Sequence, residues 1–352
     1  MKRREFIQKA ALATAAIPAV ASASSGKKIR LKMATSWPAS MPILQSTADY
    51  FAKRVGEMSG GAIEIKIYHA GSLVPPLGVF DAVSAGQIDL YHSATYYWSG
   101  KNSAFSVFAG TPFGMVDNEM LAWMRFGGGL ELWRELGAKY NVYPLLGGNT
   151  GIQMGGWFKK PVEKLADLKG LKMRIPGLGA QILSKLGVNT VMMAGGEIYL
   201  ALERNVIDAS EWVAPALDLS VGFHKVAKYY YTAWHEPAST AEFVFNTKSW
   251  AGLPPEYQAI IEVASQDANV RMTAESQARN APAMRDLLRQ GVEVKTFPAD
   301  VMAACKKALG EVVAEESAKN PDFKKAWESY SSFLEEQKDW TKLGLGRYLE
   351  TR

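Results

Sequence analysis

The 352-residue sequence contains one cysteine, Cys305, and no long run of strongly apolar residues. A single cysteine excludes an internal disulfide, so stability must come from a packed core, where we expect Cys305 itself to lie. The apolar stretch at 10–20 is short, rich in alanine and interrupted by Pro18. A membrane-spanning helix needs about 20 strongly apolar residues, so this stretch does not predict one.

The first 23 residues have the organisation of an export signal. A basic opening precedes the apolar stretch, and Ala21, Ser22 and Ala23 supply the small side chains expected before a cut after Ala23. The letters RREF at 3–6 resemble a twin-arginine signal, with an ordinary secretion signal as the alternative. We therefore expect the mature protein in the periplasm.

Most of the excess positive charge belongs to this export segment. Residues 1–23 carry four basic side chains and one acidic one, a net of +3, so the formal +5 of the chain falls to about +2 after their removal. The remaining sequence contains no basic block or stripe of the kind that tracks phosphates. A nucleic-acid partner is not expected.

Signatures of common enzyme classes are missing. The sequence has no G-x-S-x-G, no H-E-x-x-H and no cysteine pair for a metal. GLGAQI at 177–182 begins like a dinucleotide-binding fingerprint but lacks the third small residue. The four histidines are far apart without ligand spacing, so we expect each to be a hydrogen-bonded structural residue. They are His69, His92, His224 and His235.

Strands alternate with helices along the chain. KIRLKMATSW places alternate apolar residues on one face, which is typical of a strand, and a helix is expected to follow it. The second half repeats this alternation before a long helix that starts at Pro254 and Pro255 and ends near Gln290. The pattern predicts the α/β class, with a mostly parallel sheet built from right-handed crossovers.

Aromatic and polar residues follow the predicted strands. Ligands of open α/β sheets bind beyond the carboxyl ends of the strands, so these residues are expected to line a cleft. The first half contributes aromatic side chains and the second half contributes charges, which suits an apolar small-molecule site with a few fixed polar groups. The residues are Ser36, Trp37, His69, Tyr96, Tyr97 and Trp98, then Arg174, Glu211, Trp212 and Glu236.

Each of these positions has a structural alternative. Arg174 precedes a Pro-Gly turn that can present its guanidinium to a carboxylate bidentately, but it can equally pair with a neighbouring carboxylate. The aromatic run at 96–98 can cap the core. Gln153 and Glu211 can lie on solvated faces.

Three stretches resemble a known family. GSLVPPLGVFDAVSAGQIDL, LKMRIPG and GGEIYLALERNVIDASEWVAP are similar to sequences in the extracytoplasmic solute receptors of tripartite ATP-independent periplasmic (TRAP) transporters, of the DctP type. The resemblance covers nearly the whole mature chain and is closest to the subgroup that binds 2-oxo acids or lactate with a metal ion. Asn205 and Ala209 stand where the family often has glycine, which leaves the exact acid open.

The resemblance implies a role for each site residue. Arg174 holds the substrate carboxylate, and the groups that surround the metal ion are Gln153, Glu211 and the backbone carbonyl of Trp212. We expect Na⁺ rather than Ca²⁺ as the bound ion. The substrate-binding residues are Arg174, Glu211, Tyr96, Tyr97, Trp212 and Glu236.

Charge balance also favours a cation. A bound monocarboxylate, Arg174 and Glu211 together carry a net charge of −1, and an unpaired charge in a poorly solvated cleft is costly. Either Glu211 takes up a proton or a cation joins the site. Oxygen ligands suit a hard ion such as Na⁺ or Ca²⁺ better than Zn²⁺.

The family implies a two-lobed periplasmic binding protein fold, hinged by crossing strands, with a long helix along the back. The first lobe is expected at 27–151 plus 240–284, and the second at 152–239 plus 285–352, with the C-terminal helices. The helix at 323–340 carries an aromatic stripe that either packs on its own chain or, as we favour, forms a homodimer. The stripe consists of Phe323, Trp327, Tyr330, Phe333 and Leu334.

The leading hypothesis is a periplasmic receptor that captures a small organic monocarboxylate and delivers it to the membrane permease subunits of the transporter. No bond is made or broken in this process. The alternative is an exported lyase or isomerase of 2-oxo acids that uses Arg174 as a carboxylate clamp and Glu211 as a general base. A receptor that feeds a sensor kinase is a third hypothesis.

Overall fold

The computed structural model describes residues 28–352, which fold as an α/β protein with two sheets. The export signal expected over 1–23 lies outside the described residues. None of the described helices combines the length and the apolar character that a membrane crossing requires.

Eleven strands form the two sheets in this part of the chain. The first sheet has the order β2-β1-β3-β10-β4, and the second has the order β11-β9-β5-β8-β6-β7. The strands are β1 (Ile29–Thr35), β2 (Ile63–Tyr68), β3 (Leu90–Ala94), β4 (Val142–Asn149), β5 (Gly156–Phe158), β6 (Lys172–Arg174), β7 (Asn189–Val191), β8 (Ala209–Ser210), β9 (Tyr229–Tyr231), β10 (Thr240–Asn246) and β11 (Glu293–Lys295).

Helices connect these strands, and the longest of them, α10, confirms the long helix expected after Pro254. It begins one residue later and ends at Arg289. The helices are α1 (Leu44–Met58), α2 (Val79–Ser84), α3 (Phe105–Ala109), α4 (Asp117–Phe126), α5 (Gly129–Ala138), α6 (Gly177–Lys185), α7 (Gly195–Glu203), α8 (Pro215–Val221), α9 (Thr247–Ala251), α10 (Pro255–Arg289), α11 (Ala299–Lys319), α12 (Pro321–Thr341) and α13 (Arg347–Glu350).

Two strands run against the direction of their neighbours. β10 pairs antiparallel with β3 and β4, and β5 pairs antiparallel with β8 and β9. The other pairings between the described strands are parallel, so the expectation of a mostly parallel sheet holds only in part. The reason is that β5 and β10 each arrive directly from a strand of the other sheet, without the crossover helix that a parallel connection needs.

The chain passes between the two sheets by β4 to β5, by β9 to β10, and along α10. The long helix contacts α1 and β4 on the first sheet and α8 beside the second. Backbone bonds join the two short crossings, with Gln153 N donating to Glu236 O at 2.9 Å and Thr150 N to Ser239 O at 3.0 Å. The exact lobe boundaries remain a prediction.

Aromatic stacks anchor the core of each sheet. Phe51 of α1 stacks on Phe243 of β10 with ring centroids 3.8 Å apart, and Trp157 of β5 stacks on Tyr230 of β9 at 4.0 Å. All four side chains are buried. Burying a side chain of the size of Phe contributes roughly 1.5–3 kcal/mol to stability. The stacks therefore stabilise β10 and β5, which pair with β3 and β8, and the site residues follow β3 and β8.

The last long helix, α12, packs on its own chain. Phe323 and Tyr330 of the aromatic stripe are buried, and Tyr330 Oη accepts a hydrogen bond from Met115 N at 2.7 Å. The stripe therefore does not carry the homodimer that we favoured on its account. The helix contacts α3, α4 and α5 as well as α11, which in turn contacts α6 beside the second sheet. The contacts of α12 are therefore not confined to the second lobe, in which it was expected.

Candidate functional site

Arg174 and Glu211 meet because their strands are neighbours. β6 and β8 pair in parallel with Arg174 opposite Ser210, so the next residue, Glu211, lies beside the guanidinium. Arg174 Nη1 donates to Glu211 Oε2 and to the Glu211 backbone oxygen, both at 3.0 Å. Both side chains are buried, so the two form a desolvated ion pair, and Glu211 is not a solvated surface residue.

The indole of Trp212 forms one wall of the site. The guanidinium carbon of Arg174 lies 5.3 Å from the ring centroid, within the range of a cation–π contact. Gly195, at the start of α7, approaches the ring so closely that a β-carbon there would lie 2.0 Å from an indole atom. Glycine is therefore required at this position, and α7 holds the indole in place.

A short turn after β3 supplies the facing aromatic wall. Tyr96 and Tyr97 belong to a 3₁₀ turn over Thr95–Trp98. Arg174 Nη2 donates to Tyr97 Oη at 3.5 Å, which is long for a hydrogen bond. The Trp37 ring centroid lies 6.3 Å from that of Tyr97 and 6.5 Å from that of Trp212. Aromatic contacts therefore close the cleft between the two sheets.

The crossings between the sheets contribute Gln153 and Glu236, which are both buried. Gln153 Nε2 donates to Thr150 Oγ1 at 3.0 Å, whereas Gln153 Oε1 and Glu236 Oε2 have no hydrogen-bond partner. Glu211 Oε1 is a third buried oxygen of this kind. The structure thus brings the predicted substrate-binding and metal-binding residues to one cleft, where burial and the charge of Glu236 raise the pKa of Tyr96. The expectation that Trp98 also lines the cleft is wrong, because its indole is buried against Phe80 and donates to Glu242.

His235 belongs to this cleft, so the prediction that it is a hydrogen-bonded structural residue is wrong. The side chain is buried, neither ring nitrogen has a hydrogen-bond partner, and Nε2 lies 3.7 Å from Glu211 Oε1. Burial lowers the pKa of His235 below its ordinary value, Glu236 opposes this shift, and Arg174 adds to it. The available signal was its place beside Glu236 after β9. His92, in contrast, is hydrogen-bonded through both ring nitrogens, as predicted.

Burial dominates the electrostatics of the two carboxyl groups in the cleft. It raises the pKa of Glu211 to about 8, with Arg174 opposing the rise. It also raises the pKa of Glu236 to about 8, and the neighbouring Glu211 charge adds to the rise. The cleft therefore favours a proton on these groups or a further positive charge close to them.

The unpartnered oxygens fit a hard cation. Gln153 Oε1 and Glu211 Oε1 are buried, and amide and carboxylate oxygens are the donors that Na⁺ and Ca²⁺ prefer. Within residues 28–352, no group of three or more His, Cys, Asp and Glu side chains is arranged to hold a metal ion. A cation here would need the Gln153 amide, a backbone carbonyl and ligand oxygens besides Glu211.

Two sheets joined by crossing strands, with a buried arginine and an aromatic wall across a closed cleft, define a two-lobed solute-binding protein. The chain belongs to the bacterial extracellular solute-binding protein family 7, DctP, whose family model matches residues 33–320. It is a periplasmic solute receptor of the TRAP type.

Three similar proteins extend along nearly the whole chain. A monocarboxylate 2-oxoacid-binding periplasmic protein of Nostoc sp. strain PCC 7120 is 40% identical over 352 residues, covering 97% of this chain and 96% of the relative. A TRAP periplasmic solute-binding protein from Pseudoalteromonas atlantica, with bound sodium and pyruvate, is 43% identical with a TM-score of 0.91, covering 93% of this chain and 100% of that chain. A TRAP solute-binding protein from Bordetella bronchiseptica is 41% identical with a TM-score of 0.91, covering 93% and 97%. That protein is a mixed-occupancy dimer, with calcium and picolinate in one site and an apo site.

Proposed function

We propose that this receptor binds a small monocarboxylate 2-oxo acid, such as pyruvate, together with a metal ion, and delivers the acid to the membrane permease subunits. The observation that carries the proposal is the buried guanidinium of Arg174, which contacts Tyr97 and Trp212. A planar cation beside aromatic side chains suits a short carboxylate, which it can bind bidentately. The similarity to the Nostoc protein and to the pyruvate-bound structure supports this class of ligand.

The remaining site residues complete the binding pocket in this proposal. Tyr96, Tyr97 and Trp212 exclude water and contact the short acyl group. Glu236 and Glu211 accept hydrogen bonds or share a positive charge, because each has a buried oxygen without a partner. Lactate, whose 2-oxygen is a hydroxyl, is the second acid to test at this site.

Gln153, Glu211 and the Trp212 carbonyl would hold the cation. When bound, the cation supplies the positive charge that balances the ligand carboxylate and Glu211 against Arg174. We propose Na⁺ ahead of Ca²⁺, because one positive charge balances the net −1 of these three groups. The similar structures contain either ion, sodium with pyruvate in one and calcium with picolinate in the other.

The ligand leaves this protein chemically unchanged in our proposal. The alternative lyase or isomerase would use Glu211 as a base, but Glu211 Oε2 is engaged by Arg174 at 3.0 Å, and the family is one of solute-binding proteins. Mass spectrometry of the purified protein identifies any copurified acid. Incubation with pyruvate and with lactate, followed by NMR, then decides: stoichiometric binding without product supports the receptor, and product formation contradicts it.

We also propose that the receptor forms a homodimer through the end of its chain. Trp340, Leu343 and Tyr348 are largely exposed, in contrast to the buried stripe of α12. A cavity of about 580 Å³ between α4 and α10 has a mixed lining that includes Met120, Leu121 and Met124, and the exposed residues from a second copy can fill it. The similar protein from Bordetella bronchiseptica is a dimer.

Light scattering tests the dimer on the mature chain and on a chain that ends at residue 339. The shorter chain keeps Phe323 and Tyr330, which the core requires. A dimer mass for the mature chain and a monomer mass for the shorter chain support the proposal. A monomer mass for both would remove it.

A further inference from the structure

We propose that Trp37, held in place by His92, limits the length of the hydrocarbon tail that the site accepts. The inference rests on the proposed function, because it concerns the same pocket and a 2-oxo acid as ligand. It assigns the receptor to the shortest acids of this class, and it makes Trp37 the residue that excludes longer ones.

The first observation is the place of Trp37 in the cleft. The side chain follows β1 and is buried against Tyr97 and Trp212, the two aromatic residues that contact the Arg174 guanidinium. Trp37 lines a small cavity together with these two residues and Gln153. Arg174 does not line this cavity but contacts Tyr97 and Trp212, which do, so an acid whose carboxylate binds Arg174 extends its tail toward a space that the Trp37 indole bounds.

The second observation is the chemistry of that cavity. Besides the aromatic side chains, it is lined by Leu44, Ala94 and Ala241, and by neutral polar residues of the crossings. None of the described residues that line it is charged. The space therefore suits a hydrocarbon tail, because a second carboxylate would be desolvated there without a partner.

The third observation is that Trp37 cannot move aside easily. Trp37 Nε1 donates to His92 Nδ1 at 2.8 Å, and His92 Nε2 donates to Gly147 O of β4 at 3.0 Å. Burial lowers the pKa of His92 to about 4, which keeps the ring neutral and Nδ1 available as the acceptor. Displacing the indole would leave a buried N–H and a buried ring nitrogen unpaired, so the wall is fixed.

The backbone behind His92 is fixed as well. Gly147 lies so close to β10 that a β-carbon there would be 2.5 Å from the Glu242 backbone carbon. The His92 ring also packs on Phe243 of β10, with centroids 4.5 Å apart. The chain of contacts from Trp37 through His92 thus ends on strands that cannot separate without loss of sheet pairing.

Calorimetry in a sodium buffer tests the proposal with pyruvate and 2-oxohexanoate, a linear acid three carbons longer. The measured quantity is the ratio of the two affinities. Trp37→Leu is expected to shift this ratio toward 2-oxohexanoate by at least about tenfold, because each methylene accommodated or rejected by an apolar pocket changes selectivity by about 10–200-fold. Trp37→Phe, which removes less volume, is expected to shift it in the same direction by a smaller factor.

Trp133→Leu is the matched control, because Trp133 is equally buried but packs on Phe108, away from the cavity. Its ratio is expected to stay at the wild-type value. An unchanged ratio in Trp37→Leu with pyruvate binding intact would overturn the role of Trp37 and leave the proposed function standing. Should the leucine variant not fold, an unchanged ratio in Trp37→Phe has the same meaning. Failure of the wild-type protein to bind either acid would overturn the proposed function and this inference with it.

Discussion

Two pairs of buried carboxyl groups differ in one respect. Glu242 in the first sheet and Asp218 beside the second sheet each accept at least two hydrogen bonds from neighbouring side chains, whereas Glu211 and Glu236 in the cleft each retain a buried oxygen without a partner. Burial raises the pKa of all four, to about 7 for the first pair and about 8 for the second. Burial alone therefore does not distinguish the site.

Each engaged carboxyl group accepts hydrogen bonds from one tyrosine and one tryptophan side chain. Glu242 Oε1 accepts hydrogen bonds from Tyr91 Oη and Trp98 Nε1, both at 2.8 Å. Trp98 ends the turn that carries Tyr96 and Tyr97, so Glu242 holds that aromatic wall in place.

Asp218 holds in place the opposite wall of the cleft, which Trp212 forms. Its Oδ2 accepts from Trp157 Nε1 at 2.9 Å and from Tyr230 Oη at 2.7 Å, and its Oδ1 accepts from Val213 N at 3.1 Å. Val213 follows Trp212, so this bond fixes the loop that holds the site residues.

The number of hydrogen bonds that each carboxyl group accepts therefore distinguishes the structural carboxyl groups of this molecule from those of the binding cleft. A buried carboxylate that accepts hydrogen bonds from neighbouring donors stabilises the fold. A buried carboxylate oxygen without a partner has an uncompensated desolvation cost, which a bound ligand or ion can offset. Glu211 and Glu236 belong to the second kind. The following predictions test this distinction, beginning with the largest expected change in free energy.

Asp218→Ala should lower the free energy of unfolding by about 3–5 kcal/mol, because an indole N–H, a tyrosine hydroxyl and a backbone N–H lose their acceptor in the core. Asp218→Asn keeps part of this acceptor capacity and should cost less. Urea denaturation with an unchanged slope measures the difference. Glu236→Gln, which breaks no ion pair with an arginine or lysine, is the cleft variant matched to Asp218→Asn, and a loss as large as that of Asp218→Asn would erase the distinction between the two pairs.

Removal of the cation should weaken pyruvate binding on the order of a hundredfold, because an unbalanced charge in the closed cleft costs several kcal/mol. Calorimetry on demetallated protein in a chelated buffer without Na⁺, and again with Na⁺ or Ca²⁺ restored, measures this. Glu211→Gln should bind weakly and respond little to either ion. Equal affinity of the wild-type protein in every buffer would contradict the cation, and affinity that rises only as pH falls would assign the compensation to a proton.

Arg174→Ala should weaken pyruvate binding by at least about tenfold, since a charge-assisted hydrogen bond is worth about 1.5–3 kcal/mol net. Arg174→Lys retains the positive charge but lacks the planar guanidinium, so its affinity for pyruvate should lie between those of the parent and Arg174→Ala. Circular dichroism checks that both variants fold. Arg289→Ala, which alters an exposed arginine at the end of α10, is the control and should bind as the parent does. Parental affinity in Arg174→Ala would show that another group receives the carboxylate.

Much of the site could be predicted from strand ends. Arg174 and Glu211 end or follow neighbouring parallel strands, and parallel pairing places such residues together at one edge. The α/β class followed from alternating patterns in the same way. The directions of β5 and β10 could not be predicted, because periodicity shows which face of a strand is buried and not which way its partner runs.

Other features depend on contacts between distant segments. His235 looked isolated in the sequence, and only the packing of the crossing from β9 to β10 against the end of β8 places it beside Glu211. The bond from Trp37 to His92 joins the ends of two strands that are 55 positions apart. The stripe of α12 shows the limit of amphipathic patterns, because they indicate that a face is covered but not by which chain.

The smallest expected effect is a change in the pH dependence of stability. The pKa of Glu242 lies near 7 in the folded protein, above its ordinary value of 4.5, so the folded state holds a proton that the unfolded chain releases. This contribution to stability is complete below about pH 4.5 and is lost as the pH rises toward 7.

Glu242→Gln keeps a carbonyl oxygen for Tyr91 and Trp98 but has no proton to release. Its free energy of unfolding should therefore fall less steeply between pH 5 and 7 than that of the parent, by at most about 1.4 kcal/mol per pH unit. Glu211, Glu236 and Asp218 have raised pKa values too, so a negative slope should remain in the variant. Urea titrations at several pH values measure both slopes. Identical slopes would mean that Glu242 stays ionised in the core, held by its indole and hydroxyl donors, and that engagement by donors outweighs burial at this position.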